Sequence, residues 1–213
     1  MSVTTYRREL TRADMERMRI PRRLWSARLD AISEAPWAVG EKSPRELITC
    51  YLSKLEKMRA RGLGMLLWGK NGTGKSAGAV VIAKEFRRRG YAVLFFEAAS
   101  LKDAVINKLA FDEMETVWER ARSVPVLILD DLGKGTQDGV GFGARLLDDL
   151  LRHRSANKLV TFITTNMNPR KTLKTELNES TMSTLKECMI PVQITGDDRR
   201  NEAQMEHYDF LTG

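Results

Sequence analysis

Histidine and cysteine are scarce in this chain, with two of each among 213 residues. Cys50 and Cys188 lie far apart and lack metal-ligand spacing, so two free thiols in a reducing compartment are expected rather than a disulfide framework. His153 and His207 have no partner at metal-motif spacing either. No uninterrupted apolar run approaches the ~20 residues a membrane-spanning helix needs. The Arg-rich N-terminus has no apolar core of a signal peptide, which points away from export. Internal repeats and low-complexity stretches are also missing. What remains is a cytoplasmic chain of a size that suits one compact domain with a short extension.

The charge is unbalanced in the other direction. Lys and Arg outnumber Asp and Glu 35 to 28, a formal charge of +7. A surplus of this kind suits an anionic partner, although basic domains without one are common. Residues 1–30 are the densest basic segment, with eight Arg against four acids. They suit either a solvated face or a docking surface. The cluster Arg87-Arg88-Arg89-Gly90 instead closes a helical pattern, where cations meet the negative helix end and Gly supplies the cap.

Three segments organise the chain: a basic N-terminal arm at 1–42 with a short helix near 5–19 and a break at Pro21, a core at 43–200, and a C-terminal tail at 201–213. The core opens on Ser43-Pro44-Arg45-Glu46, which combines an N-cap, Pro at N1 and Glu at N3. In the helix that follows, Leu47, Ile48, Tyr51, Leu52, Leu55 and Met58 share one face. From residue 64 the patterns alternate. Strands are expected at 64–69, 91–97, 125–130, 159–165 and 191–195, with helices near 75–89, 99–109, 112–122, 143–155, 169–176 and 179–188 between them. This predicts an α/β fold, a five-stranded parallel sheet with helices on both faces.

Chemistry concentrates where the first strand ends. Gly69-Lys70-Asn71-Gly72-Thr73-Gly74-Lys75-Ser76 is a P-loop, G-x-x-x-x-G-K-[ST], in the strand–loop–helix setting it requires. Its glycines let backbone N–H groups from Gly69 through Ser76, including those of Asn71 and Thr73, wrap a polyphosphate. The helix starting near Lys75 adds its positive end. Lys75 is expected to reach the β- and γ-phosphates of ATP, and Ser76 to hold Mg²⁺. The second motif is the strand PVLILDDLG, ending in Asp130 and Asp131. Asp130 suits the metal's coordination shell, and Asp131 suits a base that polarises the attacking water. The third is LVTFITTN, whose Thr164, Thr165 and Asn166 offer polar groups to orient that water.

These residues together resemble the DnaC/IstB family of AAA+ ATPases, the bacterial helicase loaders and transposase helpers. The likeness runs from about Ile20 to Arg200 and is carried by IPRRLWSARLD, LLWGKNGTGKS, VLILDDLG, RLLDDLLRHRSANK, FITTN and VQITGDDRR. It implies a P-loop NTPase sheet of the ASCE type, ATP with Mg²⁺, and Asn166 as sensor. It also implies a replicative DNA helicase as partner and single-stranded DNA contacts from the helices at 99–122, which carry Lys102, Lys108, Arg120 and Arg122. The readings it leaves open are a helicase loader, a transposase helper on duplex DNA, and a nucleotide-binding adaptor or inhibitor of a host helicase or loader.

Two departures from the family bear on mechanism. Loaders usually carry a further N-terminal module that grips the helicase, whereas 63 residues precede the first core strand here. Helicase contact is therefore expected from the arm, and deleting residues 1–19 is expected to spare ATP binding. The family also places Arg residues in the helix before the last strand, one acting as an arginine finger. Here Ser180 and Thr184 stand at those positions, with Lys186, Arg199 or Arg200 as substitutes. Slow hydrolysis, with ATP as a switch, and doubtful self-assembly follow from that resemblance.

Overall fold

The computed structural model describes residues 8–36, 38, 40–101, 111–133, 142–198 and 210–211, without the side chains of 111–116 and 142–144. Lys102, Lys108, Arg199, Arg200, His207 and most of the helix expected at 99–109 lie outside those residues.

Five parallel strands form one sheet in the order β2-β3-β4-β1-β5. They are β1 (Gly64–Trp68), β2 (Val93–Glu97), β3 (Val126–Leu132), β4 (Val160–Thr165) and β5 (Met189–Gln193). Residues alternate between its faces as the strand period of two demands. Met65, Leu67, Phe95, Ile128 and Phe162 pack on one side with helix α4 (Lys75–Arg88) and helix α2 (Pro44–Ser53). Leu66, Leu94, Leu127, Leu129 and Ile163 pack on the other. That second layer holds α5 (Phe111–Ser123), α6 (Phe142–Ala156), α7 (Thr172–Glu176) and α8 (Glu179–Cys188). The expected five-stranded parallel α/β sheet is the observed one. β5 starts two residues earlier than expected, because Met189 pairs with Gly64. Pro191 is tolerated inside it because β5 is an edge strand.

The capping box forms as read: Ser43 Oγ accepts the Glu46 N–H and Glu46 Oε2 accepts the Ser43 N–H. The helix it starts is broken at Lys54, whose N–H turns to Tyr51 O, and resumes as α3 (Leu55–Ala60). The cluster at 87–89 is structural, with Arg87 on Asp14, Arg88 on Glu85, and Arg89 on Glu56 and Glu85.

The basic N-terminal segment is not a free arm. Its helix α1 is shorter than expected (Arg12–Arg17) and begins with a second capping box, Thr11 to Asp14. From there the chain runs as a strap across α4, from the β2 edge to the strand β5 side. Met18 O accepts the Phe95 N–H of β2 at 2.9 Å, covering part of an edge strand. Lys84 of α4 buckles the middle, donating to Trp25 O at 2.6 Å and Ala27 O at 2.8 Å. Beyond it the Ser33 and Thr195 hydroxyls meet at 3.3 Å. Met15, Met18, Ile20 and Ile32 are buried in the same cluster as Phe86 and Phe162. Much of the positive charge is used inside the chain: Arg8, Arg12, Arg23 and Arg28 pair with carboxylates, while Arg19 and Arg22 lie over Phe96 and Trp25. Asp14 anchors the strap. Hydrogen bonds from Thr11, first its backbone N–H, and from Arg87 and Arg8 hold its carboxyl well below the usual carboxylate range despite its burial.

Among the described residues Arg154 is the largest fully buried side chain. It donates to Ala121 O and Val124 O at the end of α5, to Thr161 Oγ1, and to Val160 O, each at 2.8 Å. A cation thus meets the negative end of a helix and locks it to β4. Burial pushes its pKa down to about 9, which leaves it charged at neutral pH. Arg154→Leu keeps an apolar stem but orphans several buried carbonyls. It is expected to cost about 3 kcal/mol or more, since each orphan costs roughly 1–3 kcal/mol. The urea unfolding midpoint checks this; an unchanged midpoint would show the carbonyls rehydrate freely.

Candidate functional site

Order in the sheet explains how distant motifs meet. β4 lies between the P-loop strand β1 and the acid-bearing strand β3, so the C-terminal ends of all three open on one cleft. That cleft, of about 620 Å³, is lined by Asn71, Gly72, Gly74, Lys75, Ser76, Asp130, Asp131, Thr164 and Asn166, with Arg23 and Glu97 at one side. Of the P-loop residues from Asn71 to Ser76 and the polar residues ending β3 and β4, all line it except Thr73 and Thr165, which are buried.

The P-loop is shaped by the chain that follows β5. A Cβ on Gly69 would stand 2.3 Å from Ile194 O, and one on Gly72 1.7 Å from Asp198 Oδ1 and 2.9 Å from its Cα. Both residues also have positive φ, so their glycine identity is fixed twice, by backbone conformation and by space. Thr73 Oγ1 and Lys75 Nζ both donate to Lys70 O, at 3.0 and 2.6 Å, curling the loop around its own centre. Lys75 is buried beneath that curl at the first turn of α4.

Opposite stand the acids. β3 does not stop at Asp130 as expected; it continues to Leu132 through an irregularity in its pairing with β4 between Leu129 and Leu132. A bulge of this kind re-aims side chains. Asp131 adopts φ +58°, a left-handed conformation that costs a non-glycine residue about 1–2 kcal/mol. The Asp131 N–H donates to Thr164 Oγ1 at 2.8 Å, which holds the turn, and Thr164 Oγ1 in turn donates to Asp130 Oδ1 at 2.6 Å. Thr164 is thus a clamp on both acids and Thr165 is spent on Leu132 O at 2.7 Å, whereas Asn166 at the same strand end stays exposed. Asn166 Nδ2 lies 3.4 Å from Asp131 Oδ1 in the open part of the cleft.

Burial, with Asp131 beside it, pushes the Asp130 carboxyl above the ordinary carboxylate range; hydrogen bonds from Thr164 and Ser76 and the charge of Arg23 pull the other way. A hydroxyl of Ser76 bonded to a buried, destabilised carboxylate is the donor pair a Mg²⁺–phosphate complex fits, because a bound cation reverses that penalty. The cradle fits its anion equally well: glycines that no Cβ could replace, a lysine, and a helix N-terminus. Among the described residues no group of three or more His, Cys, Asp and Glu side chains forms a metal cluster.

The other sequence-derived candidates are placed differently. Ser180 of α8 donates to Asp148 Oδ1 at 3.0 Å and accepts from Arg152, so it is part of the α6–α8 packing. Thr184 is buried and donates to Ser180 O at 3.2 Å; an Arg in its place would have to displace core. Arg122 is engaged by Asp149, His153 and Trp118. Arg120 lines a groove with Arg17 and Arg87 at the opposite end of the sheet. Sequence reading missed Arg23 and Glu97 as cleft residues, and Asp198 as the residue packed against Gly72. Arg23 and Asp198 fall inside two quoted segments, IPRRL and ITGDD, but no local spacing ties either to the P-loop.

Among the described residues no helix is long and apolar enough to cross a membrane. Comparison with known proteins bears on the fold and the family. The replicative helicase loader DnaI of Bacillus subtilis (strain 168) is 25% identical over 152 residues, which cover 66% of this chain and 49% of DnaI. The chain thus matches about half the length of that relative. A crystal structure of DnaI superposes with a TM-score of 0.67 at 24% identity, covering 85% of this chain and 94% of that one. The DnaC helicase loader gives 0.64 at 22%, covering 82% and 100%. The replication initiator DnaA bound to AMPPCP and single-stranded DNA gives 0.62 at 18%, covering 87% and 55%. Residues 65–187, more than half the chain, match the profile of the ATPase family associated with various cellular activities, and the chain belongs to that AAA family.

Proposed function

We propose that this protein binds and slowly hydrolyses ATP, and acts as a replicative helicase loader in DNA replication with ATP as the switch for holding helicase and DNA. The observation that carries the nucleotide half is the convergence of Lys75, Ser76, Asp130, Asp131 and Asn166 on one cleft. Its similarity to the loader DnaI supports the other half. Lys75 binds the β- and γ-phosphates, and Ser76 and Asp130 hold Mg²⁺, which neutralises phosphate charge when bound. Asp131 takes the proton of the attacking water, and Asn166, beside it, orients that water. Turnover is slow because neither Ser180 nor Thr184 supplies a cation, and a finger is worth about 10³–10⁵ in rate where it operates.

Capture of a hexameric replicative helicase by this protein tests the reading, with ATP, with ADP and without nucleotide. Asp131→Asn keeps the acid's shape but cannot accept a proton, so it should retain ATP and lose roughly 10²–10⁴ in hydrolysis. The expected result is ATP-dependent capture that decays with wild-type protein and persists with Asp131→Asn. Absence of capture under every condition would sink the loader reading. ATP-dependent filaments on duplex DNA would indicate a transposase helper instead, and nucleotide binding with neither turnover nor DNA binding would indicate a helicase-occupying adaptor.

A further inference from the structure

Arg23 stands on the strap, in the 3₁₀ turn Arg22–Leu24, yet it lines the nucleotide cleft together with Ser76, Ala77, Glu97 and Asp130. Its Nη2 lies 3.7 Å from Glu97 Oε1, and both side chains are about half exposed or more, 64% and 48%. A pair this long and this wet is worth at most about 1 kcal/mol, so the guanidinium is easily drawn elsewhere. Glu97 ends β2 in register with Asp130, which places the pair on the acid side of the cleft, away from the β5 side that backs the P-loop. That side carries Glu97, Asp130 and Asp131. A terminal phosphate arriving there meets three carboxylates, and Arg23 is the cation the strap supplies against them.

We propose that Arg23 is a γ-phosphate-sensing cation acting in cis: it leaves Glu97 and pairs with the terminal phosphate of bound nucleoside triphosphate. This rests on the nucleotide reading above and deepens it. The guanidinium's planar fork suits two phosphate oxygens at once. On this proposal the contact is made by the γ-phosphate alone, so it separates ATP from ADP without a neighbouring subunit. Glu97 parks the guanidinium when the terminal phosphate is gone.

Dissociation constants for Mg²⁺ with AMPPNP and with ADP, in wild type, Arg23→Ala, Arg23→Lys and Glu97→Gln, test this. Arg23→Ala should weaken AMPPNP about tenfold, the scale of one charge-assisted contact, and leave ADP within about twofold. Arg23→Lys should restore part of the difference. Glu97→Gln should tighten AMPPNP, because the competing acceptor has lost its charge. Melting temperatures without nucleotide, equal to wild type, show that the strap stays seated in each variant. Equal weakening of both nucleotides by Arg23→Ala, or of neither, overturns the proposal. Wild-type protein that binds neither nucleotide overturns the nucleotide reading itself, and this inference with it.

Discussion

Lys75→Ala is expected to abolish tight binding of Mg²⁺–ATP and to reduce turnover by roughly 10²–10³, the usual cost of removing one preorganised charge stabiliser. The size of the effect follows from where the ammonium sits. Lys75 Nζ is held 2.6 Å from Lys70 O, inside the curl of the loop, and the residue is 8% exposed. Its orientation is therefore fixed before nucleotide arrives, and little entropy is lost when it donates to a phosphate. Arg23 cannot replace it, because it approaches from the strap on the acid side, outside the curl of the loop in which Lys75 Nζ sits. Titration with a fluorescent ATP analogue and a phosphate-release assay check the outcome. Wild-type affinity and rate in the variant would refute the P-loop as the binding site.

Deleting residues 1–19 is expected to unfold the protein or leave it aggregated, rather than to separate partner binding from ATP binding. The deletion removes Met15 and Met18, 8% and 1% exposed, from the cluster that contains Phe86 and Phe162. Each buried Met contributes roughly 1.5–3 kcal/mol. It also removes Asp14, leaving Arg87 without the carboxylate it meets at 2.8 Å, a charge-assisted contact worth about 1.5–3 kcal/mol. Together these reach the order of 5–9 kcal/mol, comparable with the whole stability of an ordinary domain. The Phe95 N–H then loses Met18 O, and the β2 edge is opened to pairing with other chains. Solubility, circular dichroism and ATP binding of the truncated protein settle the matter. A monomer that melts like wild type and binds ATP would mean that the segment is the dispensable arm its composition suggested.

How much was legible beforehand depended on the range of the determining interaction. The P-loop, the acids and their strand–helix settings could be read because each motif is local: about eight residues specify a turn, a helix start and a cradle. The capping box at Ser43 and the cluster at Arg87–Arg89 were likewise complete in a few residues, and both formed as read. The charge density of residues 1–30 was read correctly as a count but not as a placement, since Arg23 meets Glu97 and Asp14 meets Arg87 only across the fold. The two hydroxyls of the strand end at 164–165 were legible as polar and not as clamps, because their partners Asp130 and Leu132 come from the neighbouring strand.

The amino-acid sequence by itself determined the α/β class, the strand count, the phosphate cradle and the two acids, because strand and helix periods and short-range turn chemistry act within a few residues. Tertiary structure alone decided that β4 lies between β1 and β3, which brings Asn166 to Asp131. It also decided that a bulge and Thr164 turn Asp131 into the cleft, and that a basic segment becomes a strap delivering Arg23 to it. Those outcomes are set by burial of Met15, Met18 and Ile32 against α4 and by pairings more than thirty residues apart. Such contacts leave no periodic trace in the chain that makes them.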